Sequence, residues 1–205
     1  VEALAGDVAG CELNGGLKGF AVSSALSGCA VGAWFEGALA NKYGRVPVMV
    51  ISAALFLISA VGSGLAFGVI DLIVWRVVGG LGVGAASVIA PAYIAEVSPA
   101  HIRGRLGSLQ QLAIVLGIFF ALACDAWLAG MSGGAAQPLW LGMGAWRWMF
   151  LAGLLPAIVY GVLAMRVPES PRYLVARNDD VGAKHVLRQV LDLHDDEALS
   201  QKVKD

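Results

Sequence analysis

Charged side chains are scarce in this sequence, at 14% of its 205 residues, whereas soluble domains carry about 25%. The formal net charge is -1, so the basic excess typical of nucleic-acid-binding proteins is missing. The three cysteines form no CxxC pair and have no metal-ligand spacing. The sequence also lacks the HExxH motif of zinc hydrolases and shows no serine nucleophile with a histidine base. We therefore expect no nucleic-acid partner, no metal, no cofactor and no enzyme activity.

Apolar residues are abundant instead, at 58% of the chain, and they lie in long blocks. A helix needs about 20 mostly apolar residues to cross a bilayer. No block shows the alternating apolar and polar pattern of barrel strands. The predicted fold class is therefore an all-α, polytopic membrane protein. Its five predicted spans are roughly residues 17–40, 46–67, 72–97, 106–128 and 146–167.

Lys and Arg residues fall in alternate connections between these blocks. They occur in residues 41–45, in 98–105 and after 165, whereas 68–71 and 129–145 contain none. Basic connections face the cytoplasm in membrane proteins. The predicted organisation is an external segment 1–16, a five-span bundle 17–167 and a cytoplasmic helical segment 168–205. Five tryptophans near the predicted outer boundary are typical of an interfacial belt: Trp75, Trp127, Trp140, Trp146 and Trp148.

The segment after residue 167 is more polar. Ser170-Pro171 predicts a helix N-cap followed by proline at the first helical position. Further on, one apolar stripe predicts a short amphipathic helix: Ala183, Leu187, Val190 and Leu191.

A glycine-rich run, Gly80-Leu-Gly-Val-Gly84, could be read as a dinucleotide-binding loop. No strand precedes it and it lies inside an apolar block, so this interpretation fails. Gly80, Gly84 and Ser87 instead share one helix face, which predicts close helix packing.

Three motifs, in order along the chain, carry a resemblance to a known family. They are Gly37-Ala-Leu-Ala-Asn41-Lys42-Tyr43-Gly44-Arg45; the set Pro91-Ala-Tyr93-Ile-Ala-Glu96, Pro99, Arg103-Gly-Arg105 and Gln111; and Pro168-Glu169-Ser170-Pro171-Arg172-Tyr173-Leu174. Together they resemble sugar porters of the major facilitator superfamily. Within that family the sequence looks closest to bacterial proton-linked pentose porters, which also carry Asn at the position of Asn41.

The resemblance implies that the five blocks are helices two to six of a twelve-helix transporter. The sequence begins at Val1 and stops within a polar stretch, so we expect both ends to be cut. The implied function is alternating-access transport of a monosaccharide, with proton coupling left open; the alternative is a sugar sensor of the same fold. Expected partners are the sugar, membrane lipid, the missing first helix and the missing C-terminal half. The expected location is the plasma (inner) membrane, as a multi-pass protein.

Site residues are also carried over from the resemblance. Gln111, with Gln110 beside it, would bind the sugar, and the alternative is a hydrogen bond between helices. Arg76 would couple protons through a carboxylate on the missing first helix, and the alternative is snorkelling to the outer surface. The remaining charged residues would form a cytoplasmic network that holds the outward-open form, or else be solvated surface charges: Arg45, Glu96, Arg103, Glu169 and Arg172.

The sequence departs from the family pattern at several positions. Asn41 replaces the usual Asp of the superfamily loop, and Val46 replaces a basic residue. Ile118 stands where pentose-type porters have a second Gln, and Gly153 where they have an acid. Glu36 has no family counterpart, and we expect it to snorkel to the nearby cytoplasmic surface.

Overall fold

The computed structural model describes residues 15–99, 101–135 and 137–191, and within these ranges the chain is helical with no strand. The helices are α1 (Gly15–Tyr43), α2 (Arg45–Gly64), α3 (Val69–Val97), α4 (Arg103–Ser132), α5 (Ala145–Ala152), α6 (Leu154–Arg166), α7 (Pro171–Ala176) and α8 (Asp180–Leu191).

Four stretches of these described ranges are long and apolar enough to cross a membrane: α2, α3, α4 and the stretch Ala145–Arg166. They match four of the five predicted blocks to within a few residues. The helix α1 is longer than α2 but less apolar, because it includes Ser23, Ser24, Ser27 and Glu36. The predicted block 17–40 is therefore helical, while its crossing of the membrane stays a prediction.

The helix α3 is central and packs most extensively against α1, then against α2. Glycines on both helices bring the α1 and α3 backbones together. A Cβ atom added at Gly28 or Gly32 would overlap the backbone of Val77 or Leu81, and one added at Gly84 would overlap the backbone of Cys29. Close approach of this kind replaces the missing hydrophobic drive between helices in a bilayer.

The predicted packing face is confirmed at Gly80, where an added Cβ would overlap the Ala25 carbonyl oxygen. It is wrong at Ser87, which is exposed and donates its hydroxyl to the Gly84 carbonyl of its own helix. The tryptophan belt is wrong at Trp146, which is 7% exposed and packs against Ala66 and Leu72 in a buried cluster.

The last predicted span is broken at Gly153, between α5 and α6. Pro156 lies in the first turn of α6 and has no N–H to donate to the carbonyl one turn earlier. Both pieces pack against α2, whereas α4 lies at the edge of the bundle against α5 and α3. Only Leu128 is buried along α4 in the described part of the chain.

The two short helices after residue 170 form as predicted, but Ser170 does not cap α7 with its side chain. Its hydroxyl donates instead to a carboxylate of α3, described below. The helix α8 buries Ala183 and Val186. The side chains of Val190 and Leu191 lie outside the described residues, so half of the predicted stripe is untested.

The predicted topology can be tested by cysteine labelling of the full-length protein after replacement of its native cysteines. A cysteine at Ser132, at the end of α4, should react with an impermeant reagent from outside. A cysteine at the exposed Asp179 should react only from the cytoplasm. Because the two positions are separated by one span, labelling of both from the same side would contradict the topology.

Candidate functional site

An arginine–glutamate pair lies where α1, α2 and α3 meet at the predicted cytoplasmic end. Arg45 Nη2 lies 2.9 Å from Glu96 Oε1, and Arg45 Nε donates to Glu96 Oε2 at 3.1 Å. This two-point geometry is the strongest that arginine and carboxylate form. The side chains of Arg45 and Glu96 are only 15% and 11% exposed, so water screens the pair weakly.

The turn before α2 aims Arg45 at this position. Gly44 has φ +102°, a conformation that favours glycine, and it lets α2 begin directly after α1 ends. Arg45 Nη1 then donates back to the Ala40 carbonyl at 2.9 Å and to Asn41 Oδ1 at 3.3 Å. The arginine thereby joins the end of α1 to α3.

Glu169 lies at the amino end of α2, where backbone N–H groups have no partner within the helix. Its Oε1 accepts from the backbone N–H of Arg45 at 2.8 Å, and its Oε2 accepts from that of Val46 at 3.2 Å. A Cβ atom at Gly44 would overlap Glu169 Oε2, so glycine also makes room for this carboxylate. Glu169 therefore fixes the segment after α6 to the start of α2.

The same segment is tied to α3 and to the α1–α2 turn. Ser170 Oγ donates to Glu96 Oε2 at 2.5 Å, and the Tyr93 hydroxyl donates to the Pro168 carbonyl at 2.8 Å. Tyr173 and Arg177 both donate to the Lys42 carbonyl. We call Arg45, Glu96, Glu169 and Ser170 the cytoplasmic cluster.

The structure brings together three of the five residues predicted for this network, namely Arg45, Glu96 and Glu169. Arg103 instead donates to the Ser98 carbonyl at 3.4 Å, and Arg172 is exposed. Ser170 was predicted as a helix cap, and no sequence signal indicated that its hydroxyl reaches an acid 74 residues earlier.

Arg76 lines a cavity of about 500 Å³ between α1, α2, α3, α5 and α6, with Gly153 and Tyr160 among the lining residues. Its guanidinium lies 5.5 Å from the centre of the Phe150 ring, and Nη1 is 3.5 Å from the Ala21 carbonyl oxygen. The Tyr160 hydroxyl is buried and has no hydrogen-bond partner in the described part of the chain. The guanidinium of Arg76 thus lies inside the helix bundle, and no carboxylate of residues 15–99, 101–135 and 137–191 pairs with it.

Gln110 and Gln111 lie in the first half of α4, where Gln111 is exposed and Gln110 is partly buried. Neither residue lines the cavity that contains Arg76. Because α4 contacts its neighbours along little of its length, the face of Gln111 is uncovered by the described helices.

The expectation for Glu36 is wrong: it is 4% exposed and does not reach the cytoplasmic surface. Glu36 follows Gly32 by four positions, so the two share the α1 face that packs on α3. It lies within electrostatic range of Arg45 and Glu96. The tight packing of α1 on α3 therefore places a third carboxylate beside the cytoplasmic cluster.

Comparisons with known proteins agree on one family. The family model described as "Sugar (and other) transporter" matches residues 7–205. The chain is 59% identical over 175 residues to the glucose transport protein of Synechocystis sp., covering 85% of this chain and 37% of that protein. It is 39% identical over 193 residues to the D-xylose-proton symporter of Escherichia coli K12, covering 85% and 38%.

Solved structures give the same answer. The partially occluded, inward-open xylose transporter XylE from E. coli matches with a TM-score of 0.87 and 35% identity, covering 99% of this chain and 51% of that one. XylE bound to 6-bromo-6-deoxy-D-glucose matches with a TM-score of 0.87 and 36% identity, covering 99% and 46%. The chain thus spans about half or less of the length of these relatives.

Proposed function

This chain belongs to the sugar transporter family of the major facilitator superfamily, and we therefore propose that it forms part of a secondary transporter that moves a monosaccharide by alternating access. It is an integral, multi-pass membrane protein with an all-α fold. In such transporters the substrate site lies between two structural repeats that rock against one another.

The cytoplasmic cluster is the observation that carries the proposal. It joins α1, α2, α3 and the segment after α6 through directional bonds between few residues. A compact set of bonds that form in one conformation and break in another can shift the equilibrium between two conformations of a transporter. We assign the cluster the role of a latch that stabilises the cytoplasm-closed, outward-open state, with Arg103 and Arg172 joining it in the full-length protein.

Glucose is the first substrate to test. The relative named as a glucose transport protein is 59% identical to this chain, whereas the relative named as a D-xylose-proton symporter is 39% identical. The polar lining of such sites sets the choice between closely related sugars. Residues outside this chain would supply the rest of the site.

Uptake by the full-length protein in liposomes tests this function. Labelled glucose should enter with saturable kinetics and be competed by unlabelled glucose more strongly than by xylose. An imposed inward proton gradient should accelerate uptake if Arg76 takes part in coupling. Empty liposomes supply the control, and an absence of saturable uptake for both hexoses and pentoses would overturn the proposal.

Gln111 and Gln110 supply the sugar contacts in this proposal. Gln111→Ala should weaken glucose binding by about 0.5–1.5 kcal/mol for each hydrogen bond lost, or about two- to tenfold in Kd. Gln110→Ala should have a smaller effect, since it is less exposed on the same helix. Direct binding to the purified full-length protein measures both, with Gln137→Ala in the outer connection as a control; an unchanged Kd for Gln111→Ala would reject its role.

A further inference from the structure

Glu36 is a buried carboxylate that accepts no hydrogen bond from any residue the structure describes. It is 4% exposed, whereas buried ionisable side chains are normally paired. Arg45 of α2 and Glu96 of α3 lie within electrostatic range of this carboxylate. The first attracts a carboxylate and the second repels one.

Arg45 also contacts the end of α1, the helix that carries Glu36. Its Nη1 donates to the Ala40 carbonyl, which belongs to the residue one helical turn after Glu36 on the same face of α1. The other two guanidinium nitrogens, Nε and Nη2, bind Glu96. The guanidinium therefore joins Glu96 on α3 to the face of α1 that carries Glu36.

We propose that Glu36 is the second carboxylate partner of Arg45, which binds Glu96 in this structure and transfers to Glu36 when the cytoplasmic cluster opens. The inference rests on the latch role proposed above. Glu36 acts as a positioning residue for the conformational change and does not contact the sugar. A partner on either side lets Arg45 leave Glu96 without becoming an unpaired buried charge, which would be costly.

The test measures the cytoplasm-open population through a cysteine at Ser108, which is exposed near the cytoplasmic end of α4. The full-length protein with its native cysteines replaced is labelled by an impermeant thiol reagent in inside-out vesicles.

Glu36→Gln removes the open-state partner and should slow labelling roughly threefold to tenfold. Glu36→Asp keeps the charge on a shorter side chain, so its labelling rate should lie between those of the parent protein and Glu36→Gln. This variant provides the test if Glu36→Gln folds poorly. Asp180→Asn removes an exposed cytoplasmic acid and should change nothing.

Two further backgrounds separate partner exchange from simple repulsion between Glu36 and Glu96. In Glu96→Gln, Arg45 can bind only Glu36, so adding Glu36→Gln should still slow labelling; repulsion alone predicts no further change. In Arg45→Met, partner exchange predicts that Glu36→Gln has no effect, whereas repulsion predicts that its effect persists. The repulsion result in either background would overturn the inference.

The same data test the latch separately. Glu96→Gln alone should accelerate labelling at position 108, because it weakens the cytoplasm-closed state. An unchanged rate in Glu96→Gln would reject the latch role of the cluster. Acceleration by Glu96→Gln together with a silent Glu36→Gln would reject only the role of Glu36.

Discussion

Gly84→Ala should destabilise the protein by at least about 2 kcal/mol, although it adds a single methyl group. The new Cβ atom would overlap the Cys29 carbonyl oxygen and press on the Ala33 backbone nitrogen. These are backbone atoms of α1, so no side chain can rotate away, and α1 and α3 must separate. Separation would loosen the most extensive contact between two helices in the described structure.

Gly130→Ala is the matched control, because Gly130 also lies in a membrane helix but has no neighbouring atom within 4 Å of an added Cβ. It should be neutral or slightly stabilising, since alanine favours helix more than glycine does. Gly28→Ala should cost about as much as Gly84→Ala, and the double variant less than the sum, because both push the same helices apart. Denaturant titration in mixed micelles measures each value; equal stability of Gly84→Ala and Gly130→Ala would show that the backbones are not in contact.

The sequence predicted, for a physical reason, a close-packing face at Gly80 and Gly84 of α3, but not that α1 is its partner. Close packing in a bilayer needs small residues four apart, and that spacing is visible along one chain. The spans were predictable for a similar reason, since the bilayer fixes both the length and the apolarity of a crossing helix. The helix α1 has the length of a membrane span but not its apolarity, because its serines and Glu36 make it less apolar than the other long helices.

The candidate site was harder to predict from the sequence than the fold. Arg45 and Glu96 are 51 residues apart, and no periodicity links them; the prediction came from the resemblance. Ser170 was misread because a serine before a proline is typical of a helix cap, yet a buried carboxylate within reach is a better acceptor for its hydroxyl. The snorkelling expected for Glu36 is wrong because the burial of this residue depends on which face of α1 meets α3, and its distance to the helix end does not reveal that face.

Arg45→Met should destabilise the protein more than Glu96→Gln does, although the two residues form one ion pair. Loss of Arg45 removes the cation that pairs with Glu96 and lies within electrostatic range of Glu36. Breaking a buried pair in this way lowers the free energy of unfolding by about 3–5 kcal/mol. Because both side chains of the pair are partly exposed to water, we expect a loss near about 3 kcal/mol. Glu96→Gln leaves Arg45 with the Ala40 carbonyl, Asn41 and nearby Glu36, so its cost should be about 1–2 kcal/mol.

The asymmetry arises because carboxylates outnumber the arginine in this region, and it can be measured by denaturant titration of the full-length protein in mixed micelles. Arg166→Met provides the control, since Arg166 is an exposed arginine at the end of α6, and it should lie within about 0.5 kcal/mol of the parent protein. Adding Glu36→Gln to Arg45→Met should recover part of the loss, because one uncompensated charge is then removed. Equal losses for Arg45→Met and Glu96→Gln, with no recovery on adding Glu36→Gln, would show that Glu36 carries no charge that Arg45 compensates.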